Sequence, residues 1–506
     1  MTAHAQRFRW LATAGCALLA GCSGGGSSSV SGGDPLPAQA SYSDDDIDHL
    51  LLRTQFGIAP AAQAAARSAG VPAYLESMLA FPTDGGSAVE QAAFAYLVDP
   101  ADPVGLEGKF PSGNDVSDWW LYLMLHSEQP FQERLALFWH DHFAISYSVL
   151  GADERYMMVD YVDKLRRDGI GNFKDLVLAM ARDSAMLEWL DGASNVRQEP
   201  NENFAREFFE LFTAGEGRGY TENDIQEAAR AFTGYRNRLD ATTNLRYHEF
   251  DSTRKDVGAK VLFGDAILYS TGPTTDDYQL VVDATFSHLD VAGWLAEKLL
   301  REFVSDEPQP GEIQALAAVI RDEDFAMRPI LRRLFLSQLF YSHKHAMIRM
   351  PVDFGVGLVR ATGLLVEPST LRAGLSALAQ VPGAPPSVFG WPQGKEWLSA
   401  AGMVERANLV RRVIGDRTYQ TTNGYGLTLP AGTPDAAAVV DHFAALLSVR
   451  PSVTERATLI DYLDTNVTGA GVRQVDPFDP ATAQDVDCRV RGLLYILAGH
   501  PDAQLR

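Results

Sequence analysis

Residues 130–143 read PFQERLALFWHDHF, and this stretch shows how most of the chain is built. Pro130 suits the first turn of a helix, where its missing amide hydrogen costs nothing. Apolar residues then recur at the three- and four-residue spacing of a helix. The same periodicity continues along the chain in both directions, with capping signatures at residues 43–46 and 221–224. We therefore expect a mainly α protein with a multi-helix globular body.

Two segments interrupt the helical pattern. Residues 236–274 mix polar residues, glycines and short β-branched runs, which predicts a small irregular or β insertion, such as a hairpin. Residues 381–394 form a break rich in proline and glycine. Either segment marks a sub-boundary or a long loop within one compact helical body.

Composition excludes several classes of protein. The 506 residues are 46% hydrophobic and 21% charged, enough to bury a core, so the chain as a whole is not disordered. The formal charge is −22 with no long basic run, which argues against binding to nucleic acid. Cys488 is the one cysteine of the predicted body, so no intrachain disulfide forms there, and we interpret it as a packed thiol.

The first 22 residues resemble a bacterial lipoprotein signal peptide. Arg7 and Arg9 supply its positive region, and residues 11–20 its short apolar region. The tetrapeptide Leu-Ala-Gly-Cys ending at Cys22 resembles a lipobox, in which that cysteine becomes the lipidated amino terminus. About ten apolar residues are half of the ~20 that a spanning helix needs. We therefore expect a lipid anchor at Cys22.

The residues after Cys22 predict where the anchored protein resides and where its folded part begins. Ser23 stands where an aspartate typically retains lipoproteins in the inner membrane, so the resemblance favours the outer membrane, with the protein facing the periplasm. Residues 23–41 form a Gly/Ser-rich tether, and we expect the folded body over residues 42–506.

The densest polar sequence is PNENFAREFFELF at residues 200–212. Asn203, Arg206, Glu207 and Glu210 recur at helical spacing and share one face. The two glutamates, one turn apart, suit a metal or an acid/base pair, with Arg206 and Asn203 ordering a substrate. The alternative is a surface helix on which Arg206 forms ion pairs with neighbouring glutamates.

His140 and His142 flank an aspartate within the aromatic motif FWHDHF. Positions two apart on a helix point about 200° from each other, so both imidazoles ligate one ion only if the chain leaves helical geometry near His140. In that case a carboxylate such as Glu207 or Glu210 would complete a metal site. The alternative is a pair of hydrogen-bonded histidines that fix a helix end inside an aromatic cluster.

Residues 385–397 form a rigid loop that carries Trp391 and Trp397. Exposed indoles of this kind stack on sugar rings or on a partner protein. The alternative is that the loop packs both tryptophans onto the helices that it joins.

These motifs, in this order, resemble the bacterial family called domain of unknown function 1800 (DUF1800). The resemblance implies export and a largely helical fold but no established reaction. Family members are often encoded beside exported proteins of the alkaline phosphatase and sulfatase group, which implies a partner of that kind. One departure is Lys255, where the family pattern more usually has a histidine before the aspartate. The resemblance rests on HLLLR from His49, FWHDHF, NENFARE from Asn201, YTEND from Tyr220, AFTGY from Ala231, AEKL from Ala296 and FGWP from Phe389.

Two functions follow from this interpretation. The first is metal-assisted hydrolysis with a divalent ion held by His140, His142 and Glu207, with Glu210 as general base and Arg206, beside Asn203, stabilising negative charge. The second is a non-catalytic envelope protein that holds an exported partner or a glycan through its acidic surface and its tryptophan loop.

Overall fold

The first helix of the body begins at the capping box that the sequence predicts. Helix α1 spans Asp44–Thr54, and the side chain of Ser43 accepts a hydrogen bond from the amide of Asp46 while Asp46 bonds back. The same reciprocal bonds join Thr221 and Asp224 at the start of another helix. Each box satisfies two amides that a helix start leaves without partners.

The computed structural model describes residues 34–82, 87–97, 112–151, 154–241, 246–416, 427–467, 471, 473–482 and 485–506. These residues form 22 α-helices and three small two-stranded sheets, so the prediction of a mainly α protein is confirmed. After α1, the helices are α2 Pro60–Ala69, α3 Val71–Leu79, α4 Ala88–Phe94, α5 Gly113–His126, α6 Pro130–His142, α7 Tyr156–Asp168, α8 Phe173–Ala181, α9 Ser184–Trp189, α10 Asn203–Glu207, α11 Glu222–Ala231, α12 Tyr278–His288, α13 Val291–Phe303, α14 Pro310–Asp322, α15 Met327–Leu336, α16 Gln338–Ser342, α17 Pro351–Thr362, α18 Pro368–Ala377, α19 Ala400–Gly415, α20 Ala436–Leu446, α21 Val453–Leu463 and α22 Arg491–Ala498.

Short elements fill several of the gaps between the helices. Phe208–Thr213 and Asp485–Val490 are π-helical, and the former continues α10 without a break. The remaining short elements are the 3-10 turns Gly192–Ser194, Gly394–Leu398 and Pro501–Gln504 and the strands β1 Tyr235–Leu239, β2 Arg246–Phe250, β3 Lys260–Leu262, β4 Ala266–Leu268, β5 Thr465–Val467 and β6 Arg473–Val475.

The insertion predicted at residues 236–274 is two antiparallel hairpins. Strand β1 pairs with β2, with Tyr235 opposite Phe250, and β3 pairs with β4, with Lys260 opposite Leu268. A third hairpin, β5–β6, escaped prediction. Its strands are three residues long, and β6 is exposed along its whole length, so no alternation of polar and apolar residues marks it.

The folded body begins earlier than predicted, near Pro35 instead of residue 42. Gln39 donates its amide to the carbonyl of Leu336 at 2.7 Å, and Gln338 donates to the carbonyl of Pro37 at 2.9 Å. Residues Pro35–Arg506 form one compact unit that includes both predicted sub-boundaries. Cys22, the predicted signal peptide and the first part of the tether lie outside the described residues. Within the described residues no helix is long and apolar enough to cross a membrane.

A buried ionic network fixes α6 against α13 and α17. Arg134 of α6 forms ion pairs with Glu302 of α13 and Asp353 of α17. Arg506 reaches the same place, with Nη1 2.6 Å from Asp353 Oδ2. All four side chains are at most 5% exposed, so each charge depends on the others for solvation. The network sets the relative position of the two helices, α6 and α13, that carry the candidate site.

Candidate functional site

Helix α6 continues through His142, so the two histidines of FWHDHF point to different surroundings. His140 is fully buried, and its Nε2 accepts the amide hydrogen of Gly383 at 3.1 Å. Its Nδ1 therefore carries the proton and faces the hydroxyl of Tyr161 at 3.2 Å, and that hydroxyl donates in turn to the carbonyl of Phe143. Both nitrogens of His140 are thus occupied by groups of the protein.

His142 lies in a cage of aromatic rings. Its Nε2 donates to the carbonyl of Phe212 at 3.0 Å, and its ring contacts Phe138, Trp139 and Phe173. Its Nδ1 meets no hydrogen-bond partner among the described residues. Burial lowers the pKa of each of His140 and His142 to about 3, and for His142 the charge of a nearby lysine adds to the effect. Both rings are therefore neutral at pH 7.

The metal site predicted on His140, His142 and Glu207 is not assembled. In the described part of the chain, no three His, Cys, Asp or Glu side chains are placed to share an ion. The prediction required the chain to leave the helix near His140, and the helix ends only after His142. The imidazoles consequently diverge, and each is oriented by a different segment.

The polar face of α10 is an exposed cluster of ion pairs, as the alternative interpretation predicted. Arg206 bonds Glu222 at 3.0 Å and lies 3.3 Å from Glu202 and 3.6 Å from Glu210. These contacts raise the pKa of Arg206. Partial burial and the neighbouring Glu210 raise the pKa of Glu207. We call these five residues the Arg206 cluster.

Asn203 holds a local turn beside the Arg206 cluster. Its amide donates to Asn201 Oδ1 at 2.9 Å, and its side chain approaches Asp191 at 3.4 Å. Catalytic roles for Asn203, Arg206 and Glu210 stay predictions, because the predicted metal with which they would work has no assembled site.

Trp391 and Trp397 are buried, so the prediction of exposed indoles that stack on a ligand is wrong. Their exposed fractions are 4% and 6%. The ring of Trp391 packs edge-on against His140, with centroids 5.3 Å apart. Burying two large rings anchors the loop on the helices that it joins, as the alternative interpretation predicted.

The tryptophan loop is held by Asp141, a residue that the sequence analysis passed over. Asp141 Oδ1 accepts the amide hydrogen of Trp391 at 2.7 Å, and Oδ2 accepts from the side chain of Gln393 at 3.3 Å. Gly390 has φ +77°, and a Cβ there would lie 2.2 Å from Asp141 Oδ1. Only glycine permits this approach. The motifs FWHDHF and FGWP therefore meet directly.

Lys298, in the motif AEKL, lies at the same junction. Its Nζ is 4.6 Å from the centroid of the Trp294 ring, and the indole N–H of Trp294 donates to the carbonyl of Leu211. Burial lowers the pKa of Lys298, against the attraction of Asp141. Burial also raises the pKa of Asp141. Perturbed acid and base groups on neighbouring elements often mark functional sites. The signal in the sequence was the presence of both residues in the motifs that resemble the family.

Lys255, the departure from the family pattern, has a structural role. Its buried Nζ donates to Asp277 Oδ1 at 2.9 Å and to the carbonyl of Gly272 at 2.6 Å. Lys260 bonds the other oxygen of Asp277 at 3.1 Å. Burial raises the pKa of Asp277, but the hydrogen bonds from Lys255, Thr271 and Lys260 lower it more, to about 2. These bonds fasten the hairpin insertion to the start of α12.

A surface groove lies away from all these motifs, between the β5–β6 hairpin and the π-helical segment Asp485–Val490. Its lining includes Asp476, Asp479 and Cys488. Cys488 is exposed, so its interpretation as a packed thiol is wrong.

The described residues define a large helical domain in which the motifs FWHDHF, FGWP and AEKL meet at one junction. A family model described as "Protein of unknown function (DUF1800)" matches residues 49–505, nearly the whole chain. The chain belongs to the DUF1800 family, as its motifs predicted. No curated protein and no solved structure matches the chain.

Proposed function

We propose that this chain is an exported bacterial lipoprotein, held in the outer membrane through Cys22 and facing the periplasm. Its helical body acts there as a non-catalytic binding or assembly protein. The support for anchoring is the lipobox-like sequence at Cys22 and the Gly/Ser-rich tether that follows it.

The observation that carries the binding role is that the polar groups of FWHDHF are used to join segments of the body. His140 bonds an amide of the loop at residues 381–394, Asp141 bonds a second amide of that loop, and His142 bonds the end of the π-helical segment. Polar side chains bonded in this way fix a rigid shape, because each would lose its one or two hydrogen bonds on moving. Metal-assisted hydrolysis lacks comparable support, since its ligands are not brought together in the described residues.

The Arg206 cluster, on α10, the π-helical segment that continues it and the start of α11, is the surface that suits a partner. It has four carboxylates and one guanidinium, and its members are half-buried or exposed. Such a surface attracts a basic face on another protein and repels an anionic one. The partner class that we propose is an exported protein of the alkaline phosphatase and sulfatase group.

Metal analysis distinguishes binding from metal-assisted hydrolysis. We expect the purified full chain to contain less than stoichiometric zinc, manganese or iron after incubation with each ion. A stoichiometric metal that is lost in a folded His142→Gln variant would contradict the proposal. The matched control is His288→Gln, at a partly exposed histidine on α12.

Anchoring and partner binding are tested separately. Cys22→Ser should abolish the incorporation of labelled palmitate into the chain, and labelling equal to that of the parent would contradict lipidation at Cys22. Glu222→Lys should weaken binding to a purified envelope protein of the sulfatase type in sedimentation velocity. Glu76→Lys, an equal charge change on the exposed face of α3, is the control. Equal binding by both variants would remove the Arg206 cluster as the docking surface.

A further inference from the structure

Lys298 is half-buried, and its ammonium group packs on an aromatic ring without a hydrogen bond or an ion pair among the described residues. Its Nζ lies 4.6 Å from the centre of the Trp294 ring. Among the described residues it makes no hydrogen bond and no ion pair, and Asp141 is the opposite charge that acts on it most strongly. A cation withdrawn from water without a partner is costly, and an anion brought to it would recover that cost.

The neighbours of Lys298 add positive charge. The guanidinium of Arg218 lies 5.0 Å from the centre of the same Trp294 ring. Glu297 is shared between Arg218 at 2.9 Å and Arg301 at 3.1 Å, so its carboxylate is already occupied. The three cations Lys298, Arg218 and Arg301 therefore lie near one another. Glu297 is the carboxylate that pairs with the two arginines, and Lys298 pairs with none among the described residues. This spot is unusual in a chain with a formal charge of −22.

Asp141 does not neutralise Lys298. Its two oxygens accept hydrogen bonds from the amide of Trp391 at 2.7 Å and from Gln393 at 3.3 Å. The two charges are not joined by an ion pair, so the N–H groups of Lys298 remain free to donate. A second negative charge on a ligand doubles both its attraction to the cations and its repulsion from Asp141, but the cost of removing the ligand from water rises more steeply with charge, so a monoanion is favoured over a dianion.

We propose that Lys298 binds a carboxylate monoanion at the junction between α6 and α13. The Trp294 ring lies beneath the ammonium, Arg218 adds positive potential, and the repulsion from Asp141 together with the higher desolvation cost of a second charge disfavours dianions such as phosphate. The ligand is a small organic acid or an acidic sugar, which share this group. The inference does not depend on the envelope role, and its failure would leave the proposed function untouched.

Lysine NMR tests this proposal directly. The chain has eight lysines, so the full chain labelled with carbon-13 lysine in detergent micelles gives few Cε signals. Lys298→Arg and Lys395→Arg assign two of them. Sodium acetate, sodium glucuronate and inorganic phosphate are then titrated in turn, with sodium chloride holding the ionic strength constant. Lys395 is the control, because it is exposed and lies 3.2 Å from Glu307 in an ordinary surface ion pair.

We expect the Lys298 signal to shift saturably with acetate while the Lys395 signal does not. Stronger binding of glucuronate than of acetate would identify an acidic sugar, and equal binding would identify the bare carboxylate. Asp141→Asn keeps an acceptor for the Trp391 amide and should strengthen phosphate binding by about threefold or more. A Lys298 signal that moves no more than that of Lys395, or tighter binding of phosphate than of acetate by the parent, overturns the proposal. The parent titration decides alone if Asp141→Asn does not fold.

Discussion

Acid should destabilise this protein through its two buried histidines. His140 and His142 have pKa values of about 3 in the folded chain. An unfolded histidine has a pKa of about 6.5, so between these values the unfolded chain binds more protons than the folded chain. Their contribution to stability is present above pH 6.5 and is lost as the pH falls towards 3.

The size of this loss in unfolding free energy depends on how many pH units the solution lies below the pKa of an unfolded histidine. At pH 4.5 each histidine costs about 2.7 kcal/mol, from two pH units at about 1.4 kcal/mol each. The value holds as long as the folded pKa stays below 4.5. Both histidines together cost about 5 kcal/mol, which is comparable to the whole stability of many domains.

Urea unfolding at pH 7.0 and pH 4.5, followed by circular dichroism, measures this loss. His140→Gln keeps an acceptor for the Gly383 amide but does not titrate. The pH-dependent loss of unfolding free energy should therefore be about 2.7 kcal/mol smaller in this variant than in the parent. His288→Gln, at a partly exposed position, should keep most of the parent's loss. An equal loss in the parent and in His140→Gln would refute the reasoning.

Four further substitutions test the buried ion pairs and the close packing of the tryptophan loop. Arg134→Met leaves two buried carboxylates short of a cation and should lower the free energy of unfolding by about 3–5 kcal/mol in urea titrations. Gly390→Ala forces a Cβ to 2.2 Å from Asp141 Oδ1 at a φ of +77°, so differential scanning fluorimetry should show a Tm lower by several degrees, and an unchanged Tm would contradict the contact. Lys255→Met removes one of two lysines from buried Asp277 and should cost about 3–5 kcal/mol. Lys255→Arg, measured in the same way, should lose less because it keeps the charge.

The motifs were visible in the sequence, but the roles of their side chains were not. FWHDHF and PNENFAREFFELF were singled out because polar residues recur there among aromatic ones, and the structure does bring the first into contact with the end of the second. The contact uses the carbonyl of Phe212 instead of the carboxylate of Glu207. Backbone carbonyls carry no sequence signal, so a histidine that bonds one resembles a histidine that binds a metal.

The sequence by itself determined the helices, because helical periodicity and capping are local properties. Ser43 and Pro130 mark helix starts where expected. Only the tertiary structure decided that Trp391 is buried on His140 and that Lys298 and Asp141 attract each other without forming an ion pair. Those relationships join residues far apart in the chain. They depend on how α6, α13 and the loop pack together, which no local spacing specifies.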